Sequence, residues 1–89
     1  MVKMTNLIVE HTWKPQDGEA VLKVVGGIVD MARNSKLPQG FSLKSVNAIP
    51  EQNRAVCNWE APSKAAMEKL LSDVNPPTSH RVYESMKIF

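Results

Sequence analysis

Hydrophobic residues fall into short runs that are separated by proline, glycine and polar residues. The first run, Thr5 to Trp13, is rich in Leu, Ile and Val and stops at Lys14-Pro15, which predicts a buried β-strand with a sharp end. Asp17 follows as a candidate N-cap, and apolar residues then recur at helical spacing to about Asn34–Lys36. The first third of the chain is therefore predicted to be a strand and an amphipathic helix.

The middle of the chain predicts two strands. Phe41 to Ile49 alternates, with Phe41, Leu43 and Ser45 on one side and Ser42, Lys44 and Val46 on the other, which indicates a half-exposed strand. The composition of Pro50 to Asn53 is typical of a turn. Arg54 to Ala61, which contains Val56, Cys57 and Trp59, predicts the next strand.

The last third predicts a helix and a strand. Ser63 is placed to cap a helix after Pro62, and its apolar stripe ends at Asn75-Pro76-Pro77. Arg81 to Phe89 alternates, which predicts a fourth strand with Val82, Met86 and Ile88 on one side and Tyr83, Lys87 and Phe89 on the other.

Gly26 and Gly27 fall inside the first predicted helix, where each glycine costs up to about 1 kcal/mol relative to alanine. A close crossing of this helix over the sheet would account for them. A phosphate-binding loop would need them at the turn from strand to helix, which is not where they lie.

The predicted order is βαββαβ, which is the order of a ferredoxin-like α+β fold in one domain, residues 1–89. In that fold an antiparallel sheet of order 4-1-3-2 carries both helices on one face. Here the central strands supply apolar residues to both faces, such as Val9 and Ile8 in the first strand. We therefore expect a homodimer, a dimeric α/β barrel in which two sheets pack through their open faces.

Composition and charge exclude several classes of protein. The chain has 89 residues, 43% of them hydrophobic, and a formal charge of +2 with both signs interspersed, which gives no basis for binding nucleic acid or anionic membrane. Its single cysteine, Cys57, has no intramolecular partner for a disulfide, and no apolar run approaches a membrane span. The N-terminus turns polar too soon for a signal peptide, so we expect a cytoplasmic protein.

Two histidines are expected at one rim of the sheet. His11 ends the first strand, and antiparallel pairing places it beside His80 at the start of the fourth. Two imidazoles together with Glu10 or Glu51 would suit a divalent transition metal such as zinc, nickel or copper. The alternative is that His11 packs beside Trp13 and His80 is solvated.

A second candidate site is a polar cluster on the open face. If the helices cover the side of His11, alternation sends Glu10 to the other side with Asn6 and Asn58. Glu10 or His11 would then be the candidate catalytic base, and the candidate ligand pocket consists of Asn6, Asn58, Trp59 and Glu60. The alternative for Glu10 and Glu60 is an ion pair with Lys44, Arg54 or Lys87, or a strand end open to water. Cys57, with no basic neighbour in sequence, is expected to be a buried structural residue.

Two segments carry a family resemblance: Val9-Glu10-His11-Thr12-Trp13 before Lys14-Pro15, and Val56-Cys57-Asn58-Trp59-Glu60-Ala61-Pro62-Ser63. They resemble small bacterial and archaeal families of unknown function in the dimeric α/β-barrel superfamily. One such family includes a nickel-binding protein, and another ends its first strand in a similar His-Thr-Trp. The resemblance implies a small-ligand cavity, which in this superfamily serves cofactor-free monooxygenases, isomerase-like enzymes and stress-response proteins.

Three functions follow as hypotheses. The first is a homodimeric accessory protein that binds a small ligand or a metal. The second is a cofactor-free enzyme that acts on a small organic substrate through His11 or Glu10, which requires a cavity of roughly 300 Å³ or more. The third is a structural or interaction module whose second strand accepts a strand from a partner.

Overall fold

The computed structural model describes residues 4–86 and 88. Its elements follow the predicted order and make an α+β fold. The strands and helices are β1 (Thr5–Thr12), α1 (Gly18–Arg33), β2 (Ser42–Ile49), β3 (Arg54–Ala61), α2 (Lys64–Val74) and β4 (Ser79–Glu84). Short 3-10 turns, Pro15–Asp17 and Pro50–Gln52, precede α1 and β3.

The four strands form one antiparallel sheet of order β2-β3-β1-β4, which reads β4-β1-β3-β2 from the other edge. β1 and β3 occupy the centre, and Val9 lies opposite both Cys57 in β3 and Val82 in β4. His11 lies opposite Ala55 on one side and His80 on the other. The register therefore brings the two histidines side by side, as predicted.

The core lies between the sheet and the two helices. Strand alternation sends Leu7, Val9 and His11 to the same face, and all three are buried. The remaining buried apolar residues come from β3, β4 and both helices: Ala55, Cys57, Trp59, Ala61, Val82, Val21, Met67 and Leu71. Both helices therefore cover the face that carries His11.

The opposite face of the sheet is open. Ile8 and Val56 are half-buried on it, and Tyr83, which pairs with Ile8 in register, is 45% exposed. Glu10 lies on this face and forms an ion pair with Arg54. The face therefore mixes apolar side chains with paired charges.

The ends of the helices follow the sequence signals to different degrees. Ser63 caps α2, because its hydroxyl accepts a hydrogen bond from the Ala66 backbone N–H at 3.0 Å. Asn75 closes α2 in the left-handed conformation, and its N–H donates to the Leu71 carbonyl at 2.8 Å. Asp17 stands at the N-cap position of α1, but its side chain makes no capping hydrogen bond.

The alternation predicted for β2 is wrong beyond Leu43. A bulge lies between Leu43 and Ser45, so that Leu43 pairs with Trp59 whereas Ser45 pairs with Asn58. The extra residue reverses the order of the faces after it. Val46 therefore shares the helix-covered face with Leu43, and Ser45 faces the open side.

The boundaries predicted for β4 are also wrong. The strand begins at Ser79 and ends at Glu84, and Met86, which is 81% exposed, lies beyond it. β4 stops there because its neighbour β1 offers no partner further on: the Ser85 N–H already donates to the Asn6 carbonyl, near the start of β1. The predicted strand positions Lys87 and Phe89 lie outside the described residues.

Within residues 4–86 and 88, no helix is both long enough and apolar enough to cross a membrane.

The glycines of α1 do not mark a close crossing, so that explanation is wrong. A Cβ atom added at Gly26 or Gly27 would meet no atom within 4 Å, and both residues are exposed. Gly40 is different, because its φ is +91° and an added Cβ would lie 3.0 Å from Pro62 Cγ. Gly40 therefore has a conformational and steric reason to be glycine, and the α1 glycines have neither.

We expect Gly26→Ala and Gly27→Ala each to raise the free energy of unfolding by about 0.5–1 kcal/mol, because alanine restricts the unfolded chain and fits the helix. Gly40→Ala is the matched contrast and should lower it by about 1 kcal/mol or more. Urea unfolding followed by circular dichroism measures all three. Destabilisation by the helix substitutions would show that α1 packs more closely there than the structure has it.

Candidate functional site

A narrow apolar cleft of about 50 Å³ lies between α1, α2 and the sheet. Its α1 wall is Val21, Val24, Val25 and Ile28, its α2 wall is Met67, Leu70, Leu71 and Val74, and its floor is Leu43, Val46, Cys57 and Trp59. This volume accepts roughly four heavy atoms, since a water molecule needs about 10–15 Å³ on the same measure. The cleft is therefore suited to a short aliphatic group or to part of a ring.

The polar side chains of the cleft, His11 and Thr78, lie together at one end. His11 is the last residue of β1 that faces the helices, and it is 8% exposed. Its Nδ1 atom lies 2.8 Å from Thr78 Oγ1. Thr78 belongs to the connection from α2 to β4, in which its own N–H donates to the Pro76 carbonyl at 2.7 Å. The cleft is therefore apolar along its walls and polar at this end.

The His11 imidazole is neutral at physiological pH. Burial lowers the pKa of His11 to about 4, with a further contribution from the charge of His80, whose ring centroid is 6.1 Å away. Nδ1 is occupied by Thr78, and Nε2 has no hydrogen-bond partner among the described residues. Those residues hold no buried side-chain nitrogen or oxygen that lacks a partner, so Nε2 must be accessible. It is free to donate or accept one hydrogen bond, as the tautomer dictates.

The predicted metal ligands are only partly brought together. His11 and His80 are neighbours, but Glu10 points to the opposite face of the sheet because it precedes His11 on the strand. Glu51 lies exposed on the turn before β3. In the described part of the chain, no group of three or more His, Cys, Asp or Glu side chains is placed to hold a metal ion.

The four residues of the predicted ligand pocket line a shallow groove, although the side chain of Trp59 belongs to the helix-covered face and not to the open one. They are Asn6, Asn58, Trp59 and Glu60. Two of its polar groups already have partners: Asn58 Nδ2 donates to Ser45 Oγ at 2.8 Å, and Glu60 Oε1 lies 3.5 Å from Lys44 Nζ. The ring of Trp59 packs edge-on against Phe41, with centroids 6.5 Å apart. Asn58 and Glu60 are therefore each tied to a neighbouring side chain of β2.

The outcomes for the two remaining candidates are clear. Glu10 pairs with Arg54, which was the alternative to a catalytic role, and the strand separates it from His11. Cys57 is buried at the floor of the cleft, and burial raises the pKa of its thiol to about 11. The expectation of a structural cysteine agrees with this environment, since the thiolate is the reactive form.

Thr78 is the site residue that sequence reasoning missed. It contacts His11 from 67 positions away along the chain. A threonine after two prolines is an ordinary connection in sequence, and only the tertiary arrangement reveals its role. The cleft walls correspond to the apolar stripes of the two helices, a pattern that does not distinguish a cleft from a filled core.

Comparison of the chain with models of protein families and with curated proteins found no match.

We expect the stability of the protein to fall as the pH drops from about 6.5 to about 4. In this window the unfolded chain protonates His11 and the folded chain does not, so protons favour unfolding, and below the folded pKa this contribution is constant. The loss is on the order of 3 kcal/mol for a shift of this size. Urea unfolding at a series of pH values measures it.

His11→Gln should remove this component, so the difference between the two pH profiles isolates it from the carboxylates. His80→Gln is the control and should keep most of the fall, because burial is the larger cause of the shift. Parallel profiles for the wild type and His11→Gln would show that His11 is not buried in the folded protein.

Proposed function

We propose that the chain is a homodimeric binding protein for a small, mainly apolar organic molecule, which enters the cleft and presents one hydrogen-bonding group to His11. The observation that carries this proposal is the polarity of the cleft: apolar walls lead to a single polar end. Ligand pockets typically combine apolar walls with a few placed polar groups. This arrangement fits a ligand better than it fits a closed core.

The walls support the same conclusion. Val24, Val25 and Ile28 face the cleft from α1 but are only half-buried, and Val21 is the one fully buried residue of that helix among those described. Burying the remaining apolar surface would be favourable by about 25 cal/mol per Å². A ligand between the helices would bury it without any rearrangement of the sheet.

Homodimerisation is supported by the open face of the sheet. Ile8 and Val56 form an apolar centre there, and the charge of Glu10 is paired with Arg54 instead of standing alone. Two such faces can pack at about 10 Å, as sheets do in a shared interior. The resemblance of the β1 and β3 segments to the dimeric α/β-barrel superfamily supports this assembly.

Metal binding has narrower support. His11 and His80 place two imidazole rings side by side, but the described residues add no third ligand near them. A nickel-binding role would rest on the family resemblance alone. We place the small organic ligand first for this reason, and we propose cytoplasmic residence because the single cysteine suits a reducing compartment.

A cofactor-free enzyme is the alternative, favoured by the accessible Nε2 atom of a neutral imidazole at the polar end of the cleft. Two observations weigh against it. The cleft, at about 50 Å³, is far below the roughly 300 Å³ that the enzyme hypothesis requires for a whole substrate, whereas binding needs room only for a short apolar group. The low pKa of His11 also makes its imidazole a weak base at neutral pH.

Binding is tested with 3-methylbutan-1-ol, which joins a short branched chain to one hydroxyl group. We expect saturable binding by calorimetry, with amide shift changes at Val25, Cys57 and His11 in NMR spectra. Val25→Phe, which fills the cleft, should weaken binding about tenfold or more. Val29→Phe is the matched control, because Val29 lies on the same helix but outside the cleft, and it should bind as the wild type does. Equal binding by the two variants would contradict the proposal.

The dimer is tested by sedimentation velocity at micromolar concentration. The sedimentation of the wild type should give a molecular mass of twice the chain mass of 9.9 kDa. Ile8→Lys should give the monomer, because it places a charge at the centre of the proposed interface. Leu22→Lys makes the same change at an exposed position on α1 and should leave the dimer intact. A monomeric wild type would rule out this assembly.

A further inference from the structure

A second, larger pocket adjoins the polar end of the cleft. It has a volume of about 510 Å³ and lies between the connection from β1 to α1 and the connection from α2 to β4. Pro76, Pro77 and Thr78 line both this outer pocket and the cleft. The segment 76–78 therefore borders both the cleft and the outer pocket.

The outer pocket differs from the cleft in its chemistry. It is lined by Thr12, Trp13, Lys14, Asp17 and Ser79 in addition to the segment 76–78. Lys14 and Asp17 bring opposite charges, and neither forms an ion pair within the described residues. The 3-10 turn brings the backbones of these two residues together, because the Asp17 N–H donates to the Lys14 carbonyl at 2.9 Å. The pocket thus presents one cationic and one anionic group that are both available.

We infer that the outer pocket and the cleft form one two-part site for a small zwitterion with a short apolar side chain, the class to which the apolar α-amino acids belong. This inference rests on the proposed function and adds the charged half of the ligand. The ligand carboxylate lies towards Lys14, the ligand ammonium group lies towards Asp17, and the side chain passes Thr78 into the cleft.

Size and charge select this class. The cleft takes roughly four heavy atoms, which is the size of an isobutyl or sec-butyl side chain. A simple anion would be attracted by Lys14 but repelled by Asp17, and a simple cation would meet the reverse. A neutral head group would use neither charge. A zwitterion satisfies both residues at once, and its two charges are close enough to share one pocket.

The charged contacts lie near solvent, so we expect each to determine which ligand is preferred more than how tightly the ligand binds. Lys14 is exposed and Asp17 is half-buried, and exposed ion pairs change binding by about two- to fivefold each. The apolar side chain in the cleft is expected to supply most of the binding.

The test compares four probes by calorimetry on the full chain: L-leucine, 4-methylpentanoate, 3-methylbutylamine and 3-methylbutan-1-ol. They share a branched chain and differ in which charges they carry. We expect L-leucine to bind most tightly. Lys14→Met should weaken L-leucine and 4-methylpentanoate by about two- to fivefold and spare the amine, and Asp17→Asn should do the reverse. Asp17 makes no side-chain capping hydrogen bond, so Asp17→Asn removes the charge without removing a cap.

Lys23→Met, which removes an exposed lysine of α1 outside both pockets, is the control and should bind all four probes as the wild type does. If the alcohol binds but L-leucine binds no more tightly, or if the position-14 and position-17 variants leave L-leucine unchanged, this inference is wrong and the proposed function stands. If none of the four probes binds, the proposed function fails with it.

Discussion

The alternation of side chains along β1 is the constraint on which the rest of the molecule depends. Successive residues of a strand face opposite sides, so Leu7, Val9 and His11 enter the space beneath the helices while Ile8 and Glu10 face the other way. This one strand thereby contributes residues to the core, to the polar end of the cleft and to the centre of the open face. It also places Glu10 and His11 on opposite faces of the sheet, so this carboxylate and this imidazole do not contribute to the same site.

Much of the fold is local in origin and was therefore predictable. Three signals each act within a few residues: Pro15, the Ser63 cap and the Asn75-Pro76-Pro77 stop. The structure has an element end close to each of them. The bulge in β2 and the early start of β4 depend on what the neighbouring strand offers, so residue patterns did not reveal them. The pairing of His11 with His80 followed from antiparallel order alone.

The candidate site was less predictable, because its character depends on degree of burial and not on residue type. Val24 and Val25 have the pattern of core residues, and only their partial exposure distinguishes a cleft wall from a filled interior. Thr78 joins the site through a contact between distant parts of the chain. The outer pocket likewise combines two connections that are far apart in sequence.

The exposed glycines of α1 have a consequence for how readily the cleft opens. Gly26 and Gly27 lower the intrinsic helicity of the element that forms one wall, and the same helix buries few of its own side chains. Local opening is least costly where apolar contacts are few. Amide protons of α1 should therefore exchange with solvent before those of β1 and β3, so the α1 wall of the cleft is the part of the fold that opens first.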